Sequence, residues 1–114
     1  GVGHFDHGMK NLRNSNLIEL LNELVIQQKI PILGICLGAQ LLGNSSEEGD
    51  ELGLGWIPME IKKFNKEKLP ENLKIPHMGW NYLQVPEERQ NEILFKGMTE
   101  EFRYYFVHTY YMHP

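Results

Sequence analysis

The only cysteine of the chain is the residue best placed to do chemistry. Glycines flank Cys36, and Gly34-x-Cys36-x-Gly38 has the spacing of the G-x-S-x-G elbow, whose strained turn exposes a nucleophile. The residue after the nucleophile begins a helix in such an elbow, so the sulfur would face free N–H groups and the positive end of the helix dipole. Cys36 is therefore a candidate nucleophile. A small buried apolar residue is the alternative, and the spacing by itself favours neither interpretation.

Two elements must position this cysteine. Residues 30–35 form an Ile-rich run without polar alternation, which favours a strand covered on both faces of a parallel sheet. Residues 37–42 would begin the helix that follows the turn. Upstream, apolar residues at helical spacing predict a helix over residues 16–28, with Asn16 and Glu19 as its starting cap. A helix, strand and helix in this order indicate an α/β layered fold.

The rest of the chain is predicted as loops and strands. His4 and His7 lie in a glycine-containing segment that we expect to be a loop, and residues 45–51 read as a solvated acidic loop. Three further strands are expected, over residues 56–61, 76–84 and 104–112. His4, His7 and His77 have no second cysteine or clear carboxylate set beside them, so we expect neither a metal site nor a cofactor.

Composition limits the class of protein. The chain has 114 residues, the size of one domain, and its formal charge of −4 with no cluster of lysine or arginine argues against nucleic acid as a partner. One cysteine excludes an internal disulfide, and the apolar stretches are too short for a membrane span. No secretory signal is visible. We therefore expect a cytoplasmic, reducing setting.

The elbow resembles the nucleophile motif of class I, triad-type glutamine amidotransferases, whose cysteine attacks the side-chain amide of glutamine. Further blocks occur in the order of one subfamily, the glutaminase subunits of imidazole glycerol phosphate synthase, and together with the elbow they cover essentially all 114 residues. These blocks are Gly1-Val2-Gly3, Phe5-Asp6, Gly8-Met9, Ser46-Glu47-Glu48-Gly49, Gly53-Leu54-Gly55, Pro76-His77-Met78-Gly79-Trp80-Asn81 and Tyr105-Phe106-Val107-His108-Thr109-Tyr110. The blocks around Trp80 and His108 are more specific than the elbow.

The resemblance implies a mostly parallel sheet flanked by helices, and a mechanism. Cys36 would form a γ-glutamyl thioester that water hydrolyses, releasing glutamate and ammonia. The backbone N–H of Leu37 and one from the strand around Gly3 would bind the oxyanion. Four residues would hold the glutamine: Gln40, His108, Thr109 and Tyr110. Without the surrounding motif, Gln40 would more often be a polar surface residue and His108 a satisfied sheet residue, so only the motif supports their functional roles.

A partner subunit is also implied. Ammonia in neutral water is mostly protonated and no longer nucleophilic, so a closed passage to the acceptor protects it. In the subfamily the partner is a (β/α)₈-barrel cyclase of histidine biosynthesis, and Trp80 and Asn81 would face it, although Trp80 also suits an ordinary core. A close relative amidates surface-polysaccharide sugars, so the acceptor stays open. Another cysteine hydrolase and a non-catalytic binding piece are the remaining alternatives.

Both ends of the chain are expected to be incomplete. The resemblance places a strand and helix before Gly1, and the catalytic histidine and glutamate in an H-P-E motif beyond Pro114. His113-Pro114 is a poor match to that motif because it follows the His108 block too closely. We therefore expect residues 1–114 to be a partial glutamine amidotransferase domain, inactive alone because the nucleophile lacks its general base.

Overall fold

The computed structural model describes residues 1–98 and 101–114. The helices are α1 (Phe5–Asn14), α2 (Leu17–Leu21), which continues as a π-helical segment (Asn22–Gln27), and α3 (Leu37–Gln40). The strands are β1 (Ser45–Ser46), β2 (Glu60–Lys63), β3 (His77–Tyr82), β4 (Arg103–His108) and β5 (Tyr110–His113). Short 3-10 turns lie at Lys66–Lys68 and Glu87–Arg89.

The strands of the described residues form two separate sheets. One has the order β1-β2-β5, with β1 parallel and β5 antiparallel to β2, and the other is the antiparallel pair of β3 and β4. Thr109 alone separates β4 from β5, so the chain passes from one sheet to the other at this residue. The predicted α/β class is confirmed, and the strand pairing in this part of the chain is mixed.

The core lies between α1, α3 and β2. Phe5 and Met9 are one helical turn apart and fully buried, and they pack with Leu37 of α3 and Ile61 of β2. Leu41 and Met59 complete this buried cluster. α3, the helix of the elbow, is therefore anchored in the core by Leu37, which directly follows Cys36.

The segment with His4 and His7 is not a loop, and this prediction is wrong. His4 is the N-cap of α1, and its Nδ1 accepts a hydrogen bond from the Asp6 N–H at 3.2 Å. Phe5 and Met9 give the segment a buried helical face, which outweighs the poor helix propensity of Gly8.

The predicted helix over residues 16–28 is confirmed in extent, as α2 and the π-helical segment together. The predicted cap is wrong. Asn16 has the left-handed φ of 55° and makes no side-chain capping bond, because it also serves the tight turn between α1 and α2.

The predicted buried strand over residues 30–35 does not form a sheet ladder. Its apolar residues are exposed, with Ile35 at 67% and Leu33 at 68% exposure. A parallel strand is buried only when strands flank it and helices cover both faces, and the described residues supply no such neighbours. At the end of the segment, the Ile35 carbonyl oxygen accepts from the Gly1 nitrogen and from the Gly38 N–H.

The acidic loop over residues 45–51 is not simply solvated. Its first residues form β1, and Glu48 accepts a hydrogen bond from the Phe5 N–H at 2.8 Å at the start of α1. The Asp6 carboxylate accepts in return from the N–H groups of Asp50 and Glu51, at 3.2 and 3.0 Å. Glu51 also forms an ion pair with Arg13 near the end of α1. Hydrogen bonds and an ion pair therefore hold the loop against α1.

The predicted strands have the following outcome. Residues 76–84 contain β3, and residues 104–112 contain most of β4 and of β5, as expected. The break at Thr109 differs from the continuous strand expected there. The strand expected over residues 56–61 begins later, at Glu60. Within residues 1–98 and 101–114, no helix has the length and apolar character that crossing a membrane requires.

Candidate active site

Cys36 occupies a strained turn at the start of α3. Its φ of 54° and ψ of −122° lie outside the regions that non-glycine residues normally adopt, and such a conformation costs on the order of 1–3 kcal/mol unless its surroundings hold it. The thiol is free and exposed. The elbow geometry is therefore present, and the alternative of a buried apolar residue does not describe this cysteine.

Gly34 explains how the turn closes. A Cβ at this position would lie 2.6 Å from the Ala39 Cα, so the chain before the cysteine can approach the helix only without a side chain. At Gly38 a Cβ would meet nothing within 4 Å. The two glycines of the motif therefore differ, because only Gly34 is required by the packing of these residues.

We call residues 1–3 the glycine strand, although they belong to neither sheet, and they lie beside the elbow as expected for an oxyanion site. The Gly1 nitrogen donates to the Ile35 carbonyl oxygen at 3.2 Å, and the Leu37 N–H donates to the Gly1 carbonyl oxygen at 3.2 Å. Gly3 has a φ of 137°, and a Cβ there would lie 3.7 Å from the Leu37 side chain. The two predicted oxyanion residues are thus close together, while the Leu37 N–H is already engaged.

The predicted glutamine-binding residues fall in two places. Gln40 is half-buried at the end of α3, one turn after Cys36, whose carbonyl oxygen accepts its N–H at 3.2 Å. His108, Thr109 and Tyr110 lie together at the junction of β4 and β5. Tyr110 packs against the core cluster that contains Leu37, which connects this junction with the elbow helix through the core.

Trp80 and Asn81 lie on opposite faces of the β3–β4 hairpin, because successive strand residues alternate. The Trp80 ring is 65% exposed and packs edge-on against Tyr105, with 5.6 Å between ring centroids. The Asn81 amide instead contacts His77 Nε2 at 2.7 Å, on the face that carries His108. A single flat partner surface cannot cover both side chains without turning around the strand edge.

His77 is a residue to which the sequence assigned no role. It stands directly opposite His108 in the register of β3 and β4, and its Nδ1 lies 2.9 Å from His108 Nε2. Both histidines lie in strands that the sequence predicts, so a contact between them was conceivable. The sequence does not give the register of the two strands, and the register is what places the histidines opposite each other. No group of three metal-ligating side chains occurs within residues 1–98 and 101–114.

Comparison with known families agrees with the elbow geometry. A family model described as "Glutamine amidotransferase class-I" matches residues 1–114. The chain belongs to this family. Its α/β architecture is therefore that of a class-I glutamine amidotransferase, and the resemblance found in the sequence is confirmed.

Relatives of this amidotransferase chain are named as HisH subunits of imidazole glycerol phosphate synthase. A Pseudomonas aeruginosa protein named "Imidazole glycerol phosphate synthase subunit HisH 2" is 49% identical over 114 residues, covering 100% of this chain and 54% of the relative. A Methanococcus maripaludis protein of the same name is 51% identical over 112 residues, covering 98% and 52%. A Synechocystis protein named "Imidazole glycerol phosphate synthase subunit HisH" is 49% identical over 114 residues, covering 100% and 51%. The chain spans about half the length of these relatives.

Proposed function

We propose that this chain carries the nucleophile of a glutaminase subunit, which hydrolyses glutamine to glutamate and ammonia and supplies the ammonia to a synthase in histidine biosynthesis. The observation that carries the proposal is the exposed Cys36 in its strained turn, with the glycine strand beside it. The names of the relatives support the synthase as the destination. The free thiol suits the cytoplasm, where cysteines stay reduced.

The chemistry begins at the sulfur. The Cys36 thiolate attacks the side-chain carbonyl carbon of glutamine, and the carbonyl oxygen becomes an oxyanion that backbone N–H groups at Leu37 and Gly3 stabilise. Ammonia leaves after its nitrogen has been protonated, and a γ-glutamyl thioester remains on the sulfur. Water then hydrolyses this thioester to glutamate. Proton transfer requires a general base and acid, which we assign to a histidine and glutamate outside these residues.

Glutamine would be held from two sides. Gln40 lies one helical turn beyond the nucleophile, where its amide can help to hold the substrate. His108, Thr109 and Tyr110 form the strand junction that we assign to the amino-acid end of the substrate. These assignments follow from the sequence resemblance, and the proposed chemistry requires no cofactor.

The partner surface is assigned to one face of the β3–β4 hairpin, which we call the Trp80 face. Its members alternate along the two strands and are all exposed: Met78, Trp80, Tyr82, Tyr105 and Val107. A contiguous aromatic and aliphatic surface of this kind is typical of a protein interface. We propose that it docks on a (β/α)₈-barrel cyclase, with Asn81 at the edge of the contact.

The test measures glutamate release by the full-length protein with and without its synthase. Cys36→Ala should abolish release, whereas Lys68→Ala, an exposed change outside the site, should leave it unchanged. Retained activity in Cys36→Ala would remove the thioester mechanism. If glutamate release is stimulated by a sugar-amidating synthase and not by the cyclase, the acceptor assigned here is wrong.

A further inference from the structure

A continuous line of hydrogen bonds runs from Asn81 to the β4–β5 junction. The Asn81 amide nitrogen lies 2.7 Å from His77 Nε2, and His77 Nδ1 lies 2.9 Å from His108 Nε2. His108 Nδ1 then lies 2.7 Å from the Tyr110 carbonyl oxygen. We call these residues the histidine relay. It joins side chains from both strands of the hairpin to a backbone atom of the other sheet.

The far end of the relay decides where the protons lie. A carbonyl oxygen only accepts, so His108 Nδ1 must carry a hydrogen and donate to Tyr110. The Nε2 of a neutral His108 is then an acceptor, and His77 must donate to it from Nδ1. His77 Nε2 in turn accepts from the Asn81 N–H. Each of the three hydrogen bonds of the relay then has one donor and one acceptor.

The Tyr110 carbonyl oxygen, at the end of the relay, lies where the chain passes from one sheet to the other. β4 pairs with β3, while β5 pairs with β2 in the other sheet, and Thr109 alone makes the change of direction. The bond from His108 to the Tyr110 carbonyl spans this corner. Phe64 closes the corner from the other side, with its ring 5.3 Å from that of His108.

We propose that His77 is a positioning residue for glutamine binding. Its Nδ1–H donates to His108 Nε2, which adds to the effect of the Tyr110 carbonyl in keeping His108 as the Nδ1–H tautomer. This tautomer in turn holds the Tyr110 carbonyl at the corner. The effect on glutamine rests on the proposed function, because that function assigns the corner to the substrate. The tautomers themselves follow from the hydrogen bonds alone, so they can be tested separately.

Three substitutions separate hydrogen bonding from packing. The amide nitrogen of His77→Asn can occupy the place of Nδ1 and keep the donor, whereas His77→Gln reaches toward the place of Nε2. His77→Phe keeps a ring against Phe106, whose centroid lies 5.2 Å away, but has no N–H. In the full-length protein with its synthase, we expect the KM for glutamine to rise about threefold to tenfold in His77→Gln and His77→Phe. His77→Asn should stay near wild type, and kcat should change less than KM.

A packing role predicts the reverse order, with His77→Phe nearest to wild type and His77→Asn most impaired. That order, or equal KM values in all three variants, would overturn the proposal. Thermal unfolding of each variant identifies any that fails to fold, and the comparison of His77→Asn with His77→Gln then decides because the two differ only in reach.

The second readout does not depend on activity. Ring ¹⁵N spectra of the full-length protein with labelled histidine should show both His77 and His108 as Nδ1–H tautomers, with His77→Asn used for assignment. His108 should keep this tautomer in His77→Asn and become a mixture in His77→Phe. An Nε2–H tautomer at His108 in the wild type would overturn the proposal. If the wild-type protein with its synthase releases no glutamate, the proposed function is wrong. The spectra then still show whether the hydrogen bonds of the relay are present.

Discussion

The backbone N–H of Leu37 donates to the carbonyl oxygen of Gly1, at 3.2 Å, although it is the donor that an oxyanion beside Cys36 would need. A second bond, from the Gly1 nitrogen to the Ile35 carbonyl oxygen, holds the same strand in place. An oxyanion can use the Leu37 N–H only after the bond to Gly1 opens. We therefore expect the glycine strand to act as a switch on the elbow.

This relationship predicts a low basal activity. One oxyanion donor is worth about 10²–10³ in turnover, so the full-length protein alone should release glutamate at least 10²-fold more slowly than it does with the synthase. Steady-state kcat values with and without the partner measure the ratio. Amide exchange at Leu37 should be slow in the free protein and faster in the complex. Equal turnover in both states would contradict the switch.

The two glycines of the elbow should respond differently to alanine. Gly34→Ala would place a Cβ 2.6 Å from the Ala39 Cα, and overpacking of this kind costs about 1–3 kcal/mol. Gly38→Ala meets nothing within 4 Å and replaces glycine inside a helix, so we expect no loss of stability. Denaturant unfolding of the full-length variants measures both. Equal losses at the two positions would show that the close approach at Gly34 is not needed.

Asp6 should stabilise the acidic loop against α1. Its carboxylate accepts two backbone N–H groups, and hydrogen bonds to a charged group contribute about 1.5–3 kcal/mol each. Asp6→Ala should therefore lower the free energy of unfolding by about 2 kcal/mol or more, and Asp6→Asn, which keeps one acceptor oxygen, by less. Glu71→Ala, an exposed carboxylate outside the loop, is the control. Denaturant unfolding measures the free energy of unfolding of the three variants. If Asp6→Ala leaves this free energy unchanged, Asp6 does not stabilise the loop.

His113 should be dispensable for glutamine hydrolysis. It lies exposed on β5, opposite Glu60 of β2, and its ring contacts Tyr111. The full-length protein should draw its general base from another segment, so His113→Ala should keep kcat within about twofold, far less than the 10²–10⁴-fold that losing a general base costs. Glutamate release with the synthase present measures this. A drop of 10²-fold or more would identify His113 as the general base and contradict this prediction.

Local patterns explain which predictions were right. The elbow at Cys36 was predictable because its glycines and turn lie within a few residues of one another. The helix over residues 16–28 and the strands around Trp80 and His108 follow from periodicity in the same way. The first helix was missed because Gly8 suggested a loop, while the burial of Phe5 and Met9 outweighs that local preference.

The sequence by itself determined the family, and its short contiguous motifs supplied the nucleophile and the glutamine-binding residues that we propose. The tertiary structure alone decided which groups meet: the Leu37 N–H with Gly1, the acidic loop with α1, and His77 with His108 across 31 positions. These contacts depend on strand register and on how loops return the chain, and neither is specified by spacing along the sequence.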